Sequence, residues 1–267
     1  EPSLWAALTA AFPQGSFLVG LSSIHWREAW KYGERAFRYC QHDVGHALGA
    51  ARYAAAVLGW SARLLEAPGD DDVSSLLGLD RAEDLAGLDA HDREHPDGLL
   101  LVAPPDEIEA GAQRIESALD ALRAVVREGA WAGRPNALSS EHVDWPAIAD
   151  IAAAAAKPRT SGGVAPAPEA PSASAGEPGD VLPAPALIRG RRSAVAMDGE
   201  TGLAAPAFFA MLDRLVPRAA VPPWDLLPWP PRVHPVFLID ESHVLQSEML
   251  DHLHILLNYE WDSRALL

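Results

Sequence analysis

GERAFRYCQHDVGHALGAARYAAAVLG, residues 33–59, carries the strongest period in the chain. Ala36, Phe37, Cys40, Val44, Ala47, Leu48, Ala51, Ala54, Ala55 and Leu58 recur at spacings of three and four, which puts them in one stripe on a helix of roughly seven turns. Gly59 supplies a left-handed stop. The spacing predicts the central helix of a buried core. Working outward, residues 20–24 read as a turn and approach, and residues 62–65 as a short strand followed by an acidic turn at 69–72. Residues 71–79 predict a short capped helix ending at a glycine, and residues 99–102 a compact apolar strand closed by Pro104-Pro105. A first globular unit is expected to end near residue 104.

Beyond that point, Ile108, Ile115, Leu119, Leu122 and Val125 mark one amphipathic helix over residues 106–128, with acidic residues in the first turn where the helix dipole favours them. Residues 157–185 are rich in Ala, Pro, Ser and Gly without a hydrophobic period, so burial cannot repay the entropy of ordering them. They are expected to form a disordered linker. Order is expected to resume at Ala186, with a helix over residues 205–215 and a proline-rich crossing at Pro222, Pro223, Pro228, Pro230 and Pro231. Residues 236–239 then read as a buried strand and residues 245–259 as a helix.

Composition narrows the partners. The 267 residues contain 21 Lys plus Arg against 37 Asp plus Glu, a formal net charge of −16. No general field draws the chain to a phosphate backbone or an anionic lipid surface, so neither nucleic acid nor membrane is an expected partner. No apolar stretch reaches the length of a membrane span. The single cysteine, Cys40, excludes an internal disulfide framework and multi-cysteine metal sites, and suits a reducing cytoplasm. The chain opens on Glu1 and closes on Ala265-Leu266-Leu267, which reads as two cut ends.

Two stretches have metal-ligand spacing. His42 and His46 stand at i and i+4, as in zinc proteases, with Glu66 downstream as a conceivable third ligand. The general base of that motif is a glutamate, whereas Asp43 is one methylene shorter; two polar positions beside the stripe is the preferred reading. His91-Asp92-Arg93-Glu94-His95 fits the inverted zincin order, but Pro96 and the lack of a helical pattern assign it to a loop. No metal is expected.

Residues 26–39 interleave five aromatics with charged side chains, a composition that by itself suits a helix entrance with snorkelling Arg and Lys stems. Trp30-Lys31-Tyr32-Gly33-Glu34-Arg35-Ala36-Phe37-Arg38-Tyr39, then Asp43-Val44-Gly45-His46, Ala54-Ala55, Leu58-Gly59, Asp71-Asp72 and Leu76-Leu77-Gly78-Leu79-Asp80, resembles the flavin-dependent nitroreductase superfamily. The likeness covers residues 20–103 and is strongest to the branch of peptide azoline dehydrogenases that make thiazoles and oxazoles. A second stretch, Arg191-Arg192-Ser193-Ala194-Val195-Ala196, Asp198-Gly199-Glu200-Thr201, Phe208 to Leu215 and Pro228-Trp229-Pro230, looks like the opening of another copy.

The resemblance implies an α+β fold: a nitroreductase-like helix-and-sheet lobe at residues 1–104, a connecting helical segment at 105–156, the linker, and the start of a second lobe at 186–236, making a partial tandem copy. It implies FMN as cofactor, a small-molecule or peptide substrate, and a homodimer or partner lobe that completes the flavin site. Lys31 and Tyr32 match the branch's catalytic Lys-Tyr pair. Arg191, Arg192 and Ser193 match the element that binds the flavin phosphate, for which guanidinium forks and a hydroxyl are suited chemistry. Residues 237–267, with Asp240-Glu241 after an apolar run, resemble the Walker B strand and following helix of transposon-type and secretion-type AAA ATPases. The chain holds no Gly-x-x-x-x-Gly-Lys-Ser/Thr phosphate cradle, so an autonomous ATPase is not expected. The leading expectation is an FMN-dependent oxidoreductase; the alternatives are an ATPase or transposition accessory fragment, and a cofactor-free pseudo-enzyme.

Overall fold

The computed structural model describes residues 2–133, 135, 141, 143–161, 183–193, 195, 202–218 and 221–229. The expected strand at 236–239 and helix at 245–259, with the whole Walker B-like stretch, lie outside them, as does Asp198-Gly199-Glu200-Thr201. The described residues divide between two compact units, one comprising Glu1–Ala167 with Ala220–Trp229, the other Pro168–Ala219 with Pro230–Leu267. Both helices and an antiparallel sheet are present, an α+β architecture.

In the first unit, α1 (Pro2–Thr9) precedes β1 (Phe17–Ser23), α2 (His25–Tyr32), α3 (Ala36–Val57), β2 (Ser61–Leu64), α4 (Asp70–Leu77), β3 (His95–Ala103), α5 (Ile108–Ser117), α6 (Leu119–Glu128) and α7 (Pro146–Ala154). The three strands order as β1-β3-β2, with both edges antiparallel to β3. β3 is buried on both faces from Leu99 to Ala103, and alternation decides which layer each residue joins. Leu99, Leu101 and Ala103 pack with Leu65, Val73, Ala112, Ile115 and Leu122 from the side of α4, α5 and α6. Leu100 and Val102 pack with Ala55, Ala62, Leu64 and Leu226 from the side of α3. Each fully buried leucine contributes about 2 kcal/mol of transfer free energy, so this short strand anchors two layers at once.

Four expectations are corrected. Residues 20–24 belong largely to β1, not to a turn: Phe17 pairs with Val102 and Gly20 with Leu99, and the register slips between Leu21 and Ser22. Pairing, not the β propensity of Gly20, Ser22 and Ser23, makes this strand. The helix predicted from residue 33 begins at Ala36, after a 3-10 turn at Gly33–Arg35. It is also not enclosed by the core: only Ala36, Cys40, Arg52 and Ala55 are buried, while Gln41, His42, Asp43, His46 and Tyr53 are exposed. Its stripe is largely alanine, which covers one face of a three-stranded sheet and no more. The single helix expected over 106–128 breaks at Ala118 into α5 and α6, and both feed Ile115, Leu119 and Leu122 into the core.

Two later segments lock onto this unit. Arg52, only 7% exposed, grips Asp225 through a two-pronged contact, Nε to Oδ1 at 2.9 Å and Nη2 to Oδ2 at 2.6 Å. The residues that open the expected linker are docked: Lys157 Nζ donates to the carbonyls of Glu66 and Pro68 at 2.7 and 2.8 Å. Arg159 reaches Asp72 Oδ2 at 2.9 Å. Gly69 makes that approach possible, since a Cβ there would stand 2.6 Å from the Arg159 nitrogen and 2.8 Å from the Lys157 oxygen.

In the second unit, α8 (Ala184–Gly190) and α9 (Ala205–Asp213) contain no buried residue among those described. Among the described residues, no helix is long and apolar enough to cross a membrane.

Candidate functional site

The expected catalytic pair sits where α2 turns into α3. Gly33 closes α2 with φ +58° and ψ −138°, a conformation open to glycine, and its N–H donates to the Ala29 carbonyl. The C-terminal end of α2 carries partial negative charge, which favours the Lys31 ammonium there. Lys31 Nζ lies 5.0 Å from the Tyr32 ring centroid. Tyr32 stacks on Tyr39 of α3 with ring centroids 4.0 Å apart and planes 16° from parallel. His42 meets the edge of Tyr39 at 6.2 Å. The elbow has a firm base: Ala29, Ala36 and Ile148 are buried together, with Phe37 and Trp145 against them. Lys31 is exposed, while Tyr32 and Tyr39 are half-buried. The arrangement offers a cation and stacked aromatic rings at one accessible corner, suited to a planar, electron-poor or anionic group.

Behind α2 lies a second group of side chains that local sequence patterns do not reveal. The β1–β3 register sets Ser23 opposite His95. Ser23 Oγ donates to Asp97 Oδ2 at 2.6 Å, and the Gln41 amide is a further partner of Asp97. His25, 5% exposed, stacks on His95 at 4.2 Å and meets Phe37 edge-on at 5.2 Å. Burial, reinforced by His95, lowers the His25 pKa to about 4. Burial also lowers that of His95 and raises that of Asp97. Cys40 faces the same region; burial first, then the carboxylates of Glu28, Asp97 and Asp43, push its thiol up to about 11. Burial disfavours the charged form of each of these groups, and they pack as one polar cluster. The cue in the sequence is weak, because the two histidines are distant along the chain and become neighbours through strand pairing.

Arg191, Arg192 and Ser193 follow α8 in the second unit and are all exposed. Arg192 Nη1 donates to the carbonyls of Arg189 and Arg191, each at 2.8 Å. Both guanidiniums and the Ser193 hydroxyl are donors of the kind a phosphate dianion accepts.

His42 and His46 are both exposed on α3, and His46 Nδ1 stands 3.6 Å from Asp43 Oδ1. The Glu66 backbone ties its segment to α5 and to the 157–160 stretch: its N–H donates to Glu116 and its carbonyl accepts from Lys157 and Thr160. The His91–His95 stretch is a 3-10 turn at Ala90–Asp92 leading into β3, and its two histidines part company, His91 packing near Trp26 and His95 on His25. Comparison with protein-family models, with curated proteins and with solved structures finds no match to this chain.

Proposed function

We propose that this chain is an FMN-dependent oxidoreductase of nitroreductase type, in partial tandem form, acting in the cytoplasm on a small-molecule or peptide substrate. A second copy or a partner lobe completes its flavin site. The observation that supports this reading is the Lys31–Tyr32–Tyr39 stack: the residue pair named by the family resemblance is held at an accessible elbow, with the cation 5.0 Å from the neighbouring ring. The half-exposed aromatics and the cation suit an isoalloxazine, and separately Arg191, Arg192 and Ser193 suit a flavin phosphate.

A bound flavin would supply the two-electron, hydride-accepting chemistry. Lys31 or Tyr32 handles the proton that accompanies it, as base or relay, and the shared elbow keeps both groups at one point. The Gly33 turn sets the angle of the elbow, and Ile148 and Trp145 pack beneath it. Arg191, Arg192 and Ser193 are donors suited to a flavin phosphate.

Incubation of the purified full chain with FMN, followed by removal of free cofactor, is expected to leave the visible spectrum of a bound flavin. Lys31→Ala is expected to keep that colour and lower turnover by about 10²- to 10⁴-fold, the usual worth of a positioned proton-transfer group. A colourless chain overturns the proposal, and unchanged turnover removes Lys31 from it.

A further inference from the structure

The turn that opens the crossing to β3 gathers a set of donor atoms that the flavin reading does not use. Asp89 caps a 3-10 turn at Ala90–Asp92, and the Asp92 N–H closes it on the Asp89 carbonyl at 3.0 Å. The Asp89 backbone is extended at the entry to the turn, φ −64° and ψ 150°, and its carboxylate comes to the side where His91 and Asp92 stand. One ligand atom from each of Asp89, His91 and Asp92 lies within 4.8 Å of the other two. His91 Nε2 and Asp92 Oδ1 are 3.8 Å apart.

Asp92 supplies an independent observation. It is only 5% exposed, and its Oδ1, the oxygen that faces His91, has no hydrogen-bond partner among the described residues. A buried carboxylate oxygen without a donor is strongly disfavoured unless a cation meets it. We propose that Asp89, His91 and Asp92 bind a divalent transition-metal ion through one imidazole nitrogen and two carboxylate oxygens. Ligand atoms around a tetrahedral zinc, bonded at about 2.0–2.1 Å, stand about 3.3 Å from one another. The three donors reach that spacing by closing by up to about 1.5 Å, which the exposed Asp89 side chain accommodates by rotation. Two carboxylates balance the charge of a dication, and the imidazole favours a transition metal over calcium or magnesium. Three protein ligands leave a fourth position for water or a substrate atom. The proposed set takes His91 and Asp92 from the second of the two stretches with metal-ligand spacing, joins them to Asp89 in place of His95, and leaves out the His42–His46 pair.

The test is titration of the full chain, free of tags and stripped by chelator, with Zn²⁺ in a calorimeter. One saturable site per chain is expected. Asp89→Asn and His91→Ala are each expected to weaken it at least tenfold, while the His42→Ala/His46→Ala double variant leaves it unchanged. Asp89 is exposed, so Asp89→Asn preserves the fold and remains decisive even where Asp92→Asn disturbs packing. Absence of saturable binding overturns the proposal. So does binding indifferent to Asp89→Asn and His91→Ala, or binding lost with His42 and His46.

Discussion

Asp72 illustrates how one carboxylate organises a neighbourhood. It is 2% exposed, accepts from the Gly69 N–H at 2.9 Å and thereby caps the start of α4. It also accepts from Arg123 at 2.9 Å and from Arg159. Hydrogen bonding from Arg159 and the Gly69 amide outweighs the burial penalty, and its pKa falls to about 2. A buried carboxylate so paired is costly to neutralise, because two guanidiniums lose their partner. Asp72→Asn is expected to lower unfolding free energy by about 3 kcal/mol, measured by urea denaturation. At the same scale, Cys40 is predicted to be inert. With its thiol at about 11, only about one molecule in 10³ is thiolate at pH 8. An aromatic disulfide reagent should react fully in denaturant and at a rate limited by opening in the native protein.

At the scale of elements, glycines separate turns from accidents. Gly33 holds φ +58°, and a Cβ there would meet the Trp145 ring at 3.3 Å. Gly33→Ala is expected to cost about 1–3 kcal/mol and to displace Lys31 and Tyr32 from their stack. Gly45 and Gly49 lie inside α3 with open space where a Cβ would go. Gly45→Ala is therefore expected to stabilise the chain by about 0.5–1 kcal/mol, the difference in helix propensity. Thermal melts of the two variants should move in opposite directions.

The same contrast separates the elements that the sequence marks locally from those that tertiary pairing makes. α3, α4 and β3 announce themselves through a three-and-four spacing, an acidic first turn before Gly78, and an unbroken apolar run. β1 does not, because its pairing with β3 overrides the weak strand preference of Gly20, Ser22 and Ser23. The break between α5 and α6 falls on Ala118, a strong helix former that gives no local warning. Lys31 and Tyr32 are adjacent in sequence, so their pairing was legible; the His25, His95 and Asp97 group exists only through strand register.

For the whole molecule, these buried groups set the response to acid. His25 drops from 6.5 unfolded to about 4 folded, so between those values the unfolded chain binds the extra proton. Its contribution to stability is therefore complete above pH 6.5 and is lost as pH falls toward 4; His95 acts in the same direction. Asp97, raised by burial, has the opposite sign and favours the fold as it protonates. Asp72 adds a lower window, holding its contribution above pH 3.8 and losing it toward pH 2. Relief of self-repulsion works against the histidines, since the net charge of −16 shrinks as carboxylates protonate. A single melting profile mixes these effects, whereas a pair of profiles isolates one. His25→Phe keeps a flat ring between His95 and Phe37 but removes the titration. The native chain should lose about 2 kcal/mol more than His25→Phe between pH 7 and pH 5, as the shift from 6.5 to about 4 requires. Urea unfolding of both proteins at the two pH values measures that difference directly. Parallel losses would mean that His25 takes up its proton inside the fold, and that the group around Asp97 opens to water before the core does.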